Sequence, residues 1–107
     1  MKKKVQKSKF ADRVYKLCRK IPKGKVSTYK QIAKALKTRA YRAVGQALKC
    51  NPYAPVVPCH RVVASDGSLG GFGGKFHSRK KIILLRKEGV IVEKWRVRDF
   101  GKKLFRF

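Results

Sequence analysis

Phe10, Val14, Leu17, Cys18 and Ile21 recur at the intervals that put apolar side chains on one face of a helix. The pattern predicts an amphipathic first helix after a basic amino-terminal arm, residues 1–9. Pro22 and Gly24 end it, because proline has no N–H to donate and glycine resists helical order. Gly24 to Gln31 holds a short extended piece, with Ser27 or Thr28 as N-cap of a second helix whose apolar positions are Ile32, Ala33, Ala35 and Leu36. A polar break at Lys37-Thr38-Arg39 leads to a third helix, Ala40 to Lys49, with Val44, Ala47 and Leu48 as its inward stripe. Two short helices joined by a tight turn read as a helix-turn-helix, although any small helical bundle contains such a pair.

Helical periodicity then stops. Asn51-Pro52-Tyr53-Ala54-Pro55 favours turns, and Val56-Val57 predicts a short buried stretch aimed at a turn around Cys59. Val62-Val63-Ala64 resumes the stretch until Ser65-Asp66-Gly67-Ser68. Gly70 to Lys75 is a loop and not a phosphate cradle, since a P-loop would need glycine where Leu69 stands and Ser or Thr where Phe76 stands. A last helix with a basic face runs from Ser78 to Lys87 and is closed by Gly89. Val90-Ile91-Val92 and Trp95-Arg96-Val97 alternate as a small hairpin or an extended tail. The resulting organisation is one domain, residues 10–92, mostly α with small β elements, followed by a basic carboxy-terminal tail, residues 93–107.

Charge changes the picture most. Thirty Lys and Arg face five Asp and Glu, a net charge of +25 in 107 residues. Self-repulsion on that scale is relieved by a polyanion, and counterion release from phosphates would supply strong, salt-sensitive affinity for nucleic acid. A halo of solvated charge kept for solubility or heat resistance is the competing reading. The apolar run Ile82-Ile83-Leu84-Leu85 lies between Lys81 and Arg86 and is far short of the ~18 residues a membrane span needs. Met1-Lys2-Lys3-Lys4 leads into no apolar segment of the kind a signal peptide carries, so an intracellular protein is expected. Cys18, Cys50 and Cys59 are odd in number and form no CxxC pair, which argues against disulfides and a zinc finger. Cys50, Cys59, His60 and His77 match no usual metal-ligand spacing, and no metal is expected.

The thiolate is the reactive form of cysteine, and it needs a base or a cation nearby. Cys59 is followed by His60 and Arg61 and preceded by Pro58. Adjacent side chains on a strand point apart, so a Cys59–His60 relay requires a turn or a bridging water, and Pro58 makes a turn plausible. On adjacency alone, a small buried thiol is the commoner outcome.

The wider segment narrows this. Pro58-Cys59-His60-Arg61-Val62-Val63, with Asn51-Pro52 and Arg42-Ala43-Val44-Gly45 upstream, resembles the DNA-binding and active-site domain of the O6-alkylguanine-DNA alkyltransferases, from about Phe10 to Gly89. The resemblance implies a winged-helix-like helix-turn-helix fold and direct transfer of an alkyl group from O6 of guanine in double-stranded DNA to the Cys59 sulfur. The protein would act once, as a monomer, with no cofactor. Cys59 would be the acceptor, His60 the base reaching it through water, and Glu88 the acid that orients the histidine. Asn51 would tie the active-site turn to the helix-turn-helix. Because the target lies inside stacked duplex, the nucleotide must be flipped out. By the same resemblance, Tyr29 would crowd the phosphate and hydrogen-bond the flipped base, while Arg42 would fill the vacated stack. Ala43 and Gly45 would allow close approach in the minor groove, and Thr28, Lys30 and Ser65 match backbone-contacting positions. Main-chain groups around Cys59, Val62 and Gly73 would hold the guanine edge, with Phe72 packing on the alkyl group.

This chain departs from the family pattern at Tyr41, where a small residue is usual, and at Phe72, where tyrosine is usual. The loop between Gly74 and Leu84 is longer than the family's, so Lys75 to Lys81 and His77 receive no role. The amino-terminal domain that many members carry is expected to be missing. Two rival readings remain: an alkyltransferase-like protein that binds the lesion without chemistry, whose members lack the acceptor cysteine, and a general basic DNA- or ribosome-binding protein in which Cys59 is merely buried.

Overall fold

A computed structural model describes residues 9–53, 56–69 and 79–107. Helix α1, Lys9–Lys20, turns Ala11, Val14, Tyr15 and Cys18 inward, as its apolar spacing requires. Asp12 in its first turn and Arg19 and Lys20 in its last match the helix dipole. Strand β1, Ser27–Thr28, passes directly into α2, Tyr29–Ala35. Of the two candidate caps, Thr28 is the one used: its backbone is extended and its hydroxyl accepts the Gln31 N–H at 2.9 Å. Lys37, with φ of 59°, turns the chain toward α3, Tyr41–Lys49. Ala40 becomes the N-cap and not the first helical residue, and with no polar side chain it leaves the start of α3 without a side-chain cap. Val44, Ala47 and Leu48 face inward as the spacing predicts, and Tyr15 of α1 donates its hydroxyl to the Ala47 carbonyl at 2.8 Å.

A short 3-10 turn, Cys59–Arg61, leads into β2, Val62–Val63, which pairs in parallel with β1 (Ser27 with Val62, Thr28 with Val63). Successive strand residues point to opposite faces. Val62 therefore joins the cluster built by α1, α2 and α3, while Val63 joins a second cluster with Val26, Leu69, Leu85, Val90, Val92 and Val97. Cys59 belongs to the first cluster, while Leu69, the helix that carries Leu85 and the residues just beyond it build the second.

Helix α4 is described over Arg79–Lys87. It is less uniformly basic toward solvent than expected, because Lys81 points inward and is 1% exposed. Beyond it the hairpin forms: β3, Val92–Glu93, pairs antiparallel with β4, Arg96–Val97, across a turn in which Lys94 and Trp95 both have positive φ. Helix α5, Phe100–Lys103, follows. Leu104 then pairs with Val26, Phe105 N donates to the Val26 carbonyl, and Ser27 Oγ donates to the Phe105 carbonyl. Residues 93–107, expected as a tail, are thus bonded to both clusters, because Val97 and Phe105 supply apolar side chains to them. A second expectation fails at Val56, which is 73% exposed beside a fully buried Val57. The turn closed by the Val57 N–H on the Tyr53 carbonyl presents only Val57 to the core. Most of the amino-terminal arm, Ala54 and Pro55, and the loop with Phe72, Gly73 and His77 lie outside the described residues. Among the described residues, no helix is long and apolar enough to cross a membrane.

Candidate active site

Pro58 ends the extended approach, and the tight turn it starts reverses the side-chain alternation that would have sent Cys59 and His60 apart. Cys59 N donates to the Val57 carbonyl, Arg61 N to the Pro58 carbonyl, and Val62 N to the Cys59 carbonyl. Cys59 is a free thiol, 8% exposed at the edge of the first cluster. Asn51, at the end of α3, braces the turn from behind: Nδ2 donates to the Val57 carbonyl at 2.9 Å and Oδ1 accepts from Tyr53 N. Tyr53 also meets Tyr15 edge to face, 5.8 Å between ring centres. The Asn51 side chain therefore links the end of α3 to the Cys59 turn.

His60 is 2% exposed and its Nε2 lies 3.0 Å from Glu88 Oε2. Burial holds the imidazole pKa below its usual value despite the opposing pull of Glu88, so the ring is neutral at neutral pH. Burial alone would raise the Glu88 pKa, but its bonds to Arg61 and His60 outweigh that and hold the carboxyl below the usual range. A neutral imidazole facing a carboxylate donates from the facing nitrogen, so the proton sits on Nε2 and the lone pair on Nδ1. Nδ1 is buried and has no hydrogen-bond partner among the described residues. No hydrogen bond runs from Cys59 Sγ to the ring.

Two cations shape the site in ways the sequence reading missed. Arg61 holds Glu88 by a bidentate pair along one edge of its guanidinium, Nε to Oε1 at 2.9 Å and Nη2 to Oε2 at 2.7 Å, and donates Nη1 to the carbonyl of Ile21, just after α1. Lys81 donates Nζ to the Val62 carbonyl at 2.7 Å and the Leu69 carbonyl at 2.6 Å. Burial lowers its pKa to about 8, with Cys59 and Cys18 pulling the other way. The spacing of Lys81, Leu85 and Glu88 on one helical face was the signal available for it.

Tyr29 opens α2, is half-buried and packs on the cluster that contains Cys59; burial raises its pKa, and Cys59 and then Cys18 add to the rise. Arg42 and Ala43 are exposed on the outer side of α3, and a Cβ built on Gly45 would meet nothing within 4 Å, so that face is open to a close partner. Lys30 and Ser65 are exposed, whereas Thr28 is 3% exposed and its hydroxyl is engaged as the α2 cap. Around the α2–α3 turn, Lys30, Lys34, Lys37, Thr38, Arg39 and Tyr41 line a cavity of about 340 Å³ with no carboxylate in its wall. Among the described residues there is no group of three or more His, Cys, Asp or Glu that could hold a metal ion.

Known proteins resemble this chain in sequence and in fold. The family model for the "6-O-methylguanine DNA methyltransferase, DNA binding domain" matches residues 9–90. The methylated-DNA–protein-cysteine methyltransferase of Sulfolobus acidocaldarius is 50% identical over 84 residues, 78% of this chain and 52% of that protein. The chain thus spans about half the length of the relatives it matches in sequence. The O6-methylguanine-DNA methyltransferase of the hyperthermophilic archaeon Pyrococcus kodakaraensis superposes with a TM-score of 0.70 at 46% identity, over 78% of this chain and 48% of that one. S. pombe Atl1, solved with damaged DNA containing O6-carboxymethylguanine, superposes with a TM-score of 0.81 at 29% identity, over 92% of this chain and 95% of that one. With the family match running through both the helix-turn-helix and the Cys59 turn, the chain belongs to the family of the 6-O-methylguanine DNA methyltransferase DNA-binding domain.

Proposed function

We propose that this chain repairs double-stranded DNA inside the cell, as a monomer, by moving an alkyl group from O6 of guanine irreversibly onto Sγ of Cys59. The observation that carries the reading is the line Glu88–His60 beside Cys59: a neutral imidazole whose proton is fixed on Nε2 and whose Nδ1 lone pair is unclaimed. A water between Nδ1 and Sγ would carry the thiol proton to His60, leaving a thiolate. The sulfur then attacks the alkyl carbon in line. The S–C bond forms as the C–O6 bond breaks, guanine keeps that electron pair and takes up a proton, and the thioether has no ready leaving group, so each molecule acts once. His60 is the base in this scheme; Glu88, and Arg61 behind it, are positioning residues.

Tyr29, packed on the cluster that contains Cys59, would meet a flipped nucleotide, and Arg42, on the open face of α3, would take its place in the stack. Ala43 and Gly45 leave that face without bulk for minor-groove contact, and the net charge of +25 supplies phosphate affinity that ignores sequence. Asn51 supports the Cys59 turn, Lys30 and Ser65 contact the backbone, and Val62 and Cys59 offer main-chain groups to the base. Phe72 and Gly73 complete the pocket in this reading.

A second reading, lesion binding without transfer, is favoured by the likeness to Atl1 over nearly the whole chain. Mixing the protein with duplex containing O6-methylguanine and weighing the Cys59 peptide separates the two. Transfer predicts one added methyl group on that peptide and loss of the lesion, while Cys59→Ala keeps DNA binding and transfers nothing. An unmodified peptide with the lesion intact at saturating protein refutes the proposal.

A further inference from the structure

The family match ends at residue 90, just before the hairpin β3–β4 begins, yet the hairpin is bonded to the segment that follows β2. Leu69 N donates to the Trp95 carbonyl at 2.8 Å, Val97 N donates to the Gly67 carbonyl at 2.9 Å, and Ser68 bridges Arg96 in antiparallel register. Gly67 has φ of +89°, and a Cβ built there would lie 3.0 Å from the Phe100 ring, so turn and ring fit with no space to spare. The next link leads inward. The Leu69 carbonyl shares the Lys81 ammonium with the Val62 carbonyl, and Val62 N is bonded to the Cys59 carbonyl. A continuous line of hydrogen bonds thus runs from the hairpin tip through Leu69, Lys81 and Val62 to the Cys59 turn.

The tip is held in an unfavourable conformation. Two-residue turns with positive φ at both positions select Asn and Gly, and here they are Lys94 and Trp95, at φ of 51° and 64°. Strain of this kind persists where the surroundings over-determine it. The surroundings here are the Leu69, Gly67 and Ser68 backbone.

We propose that the carboxy-terminal hairpin is a positioning element of the Cys59 site: by gripping Gly67 to Leu69 it fixes the Lys81 ammonium, and that fixed charge governs how readily the sulfur reacts. Lys81 reaches the Cys59 turn from α4 through the Val62 carbonyl, and its charge acts on the thiol; the other groups whose charge acts there are Tyr15 and Cys18 from α1 and Tyr29 from α2, with His60 on the same turn and Glu88 and Arg61 behind it. None of these but Lys81 is tied to the hairpin by the hydrogen bonds traced above. The inference rests on Cys59 being the reactive group of the proposed function, and its test needs no DNA.

The rate of Cys59 alkylation by iodoacetamide at neutral pH, followed by peptide mass, reads the sulfur directly, with Cys18 and Cys50 resolved as separate peptides. Lys81→Met is expected to slow Cys59 alkylation at neutral pH about tenfold, the effect of removing one nearby cation. Gly67→Ala and Phe100→Ala, which leave Lys81 in place but disturb the grip, are expected to slow it about threefold. Replacing Lys94-Trp95 by Asn-Gly keeps the backbone carbonyl in a relaxed turn and is expected to stay within twofold of the parent. That variant also keeps the inference testable should Gly67→Ala fail to fold, since a large loss there assigns the effect to the Trp95 ring and overturns the backbone link. Normal alkylation in folded Gly67→Ala and Phe100→Ala proteins overturns it too. If the alkylation rates change as expected but no methyl group is taken from DNA, the positioning inference stands and the proposed function falls.

Discussion

Glu88→Gln removes one charge and almost no volume, and it separates an orienting role from a surface ion pair. Glu88 serves three donors with two oxygens: Oε2 accepts from His60 Nε2 and Arg61 Nη2, and Oε1 from Arg61 Nε. Glutamine has one acceptor oxygen, so its amide nitrogen must face either the imidazole or the guanidinium. Facing His60, it donates to Nε2, the ring proton moves to Nδ1, and the lone pair directed away from Glu88 is lost. Facing Arg61, it leaves a guanidinium with 14% exposure short of its partner. Breaking a buried pair from one side costs about 3–5 kcal/mol, and partial exposure puts this case near the lower end. Against a total stability of roughly 5–15 kcal/mol, that lowers the melting temperature by about 15 °C. Loss of general-base assistance slows the chemical step by roughly 10²–10⁴-fold. The assay is single-turnover methyl transfer with protein in excess over an O6-methylguanine duplex, well below the variant's melting temperature, beside anisotropy binding to unmodified duplex. Affinity within twofold of the parent is expected, with a transfer rate at least a hundredfold lower where the amide nitrogen faces His60, or a near-parental rate with the lowered melting temperature where it faces Arg61. A folded, DNA-binding Glu88→Gln protein that transfers methyl within about threefold of the parent and also melts within about 3 °C of it refutes the reasoning.

Arg42→Ala should slow transfer about tenfold in duplex and leave a single-stranded lesion nearly untouched, because only the duplex has a stack to be refilled; equal losses on both substrates count against the intercalating role. Asn51→Ala deletes the bonds to the Val57 carbonyl and the Tyr53 N–H, and should lower stability by about 1–3 kcal/mol in thermal unfolding while slowing transfer. On the acid side, the pH dependence of stability follows from the lowered pKa values of His60 and Glu88. The unfolded chain binds protons to His60 below about 6.5 and to Glu88 below about 4.5 before the folded protein does, so the contribution of these two groups is full above pH 6.5 and is lost as pH drops through the folded values. Melting temperature should therefore decline from pH 6.5 downward, and Glu88→Gln should flatten the part below pH 4.5.

The three amino-terminal helices were legible because each satisfies one local rule: apolar residues at helical spacing, with a cap or a break at the ends. Thr28, Pro22 with Gly24, and the stripe of Val44, Ala47 and Leu48 all obey it. Val56 and Val57 defeated the same reasoning, since equal hydrophobicity carries no information about which of two neighbours a turn will bury. The tail was misjudged for a different reason. Its basic residues dominate its composition, but what anchors it is backbone: the Leu104–Val26 pairing and the Leu69 and Gly67 bonds to the hairpin. Partners so distant in sequence leave no periodic mark.

At the site, the acceptor segment stood out because several separated motifs agreed in spacing, and Glu88 because acids are so scarce in this chain that its place before Gly89 was conspicuous. Cations suffer the reverse effect. With thirty Lys and Arg, a further one attracts no notice, and Lys81 was lost among Arg79 and Lys80 although burying an ammonium is far costlier than exposing it. The two carbonyls that offset this cost are backbone groups of Val62 and Leu69, which no side-chain pattern encodes. Arg61 was hidden similarly, behind the cysteine and histidine it adjoins. In a strongly basic chain the informative cation is the one whose helical register sets it beside apolar residues, and Lys81, one turn before the fully buried Leu85, is that case.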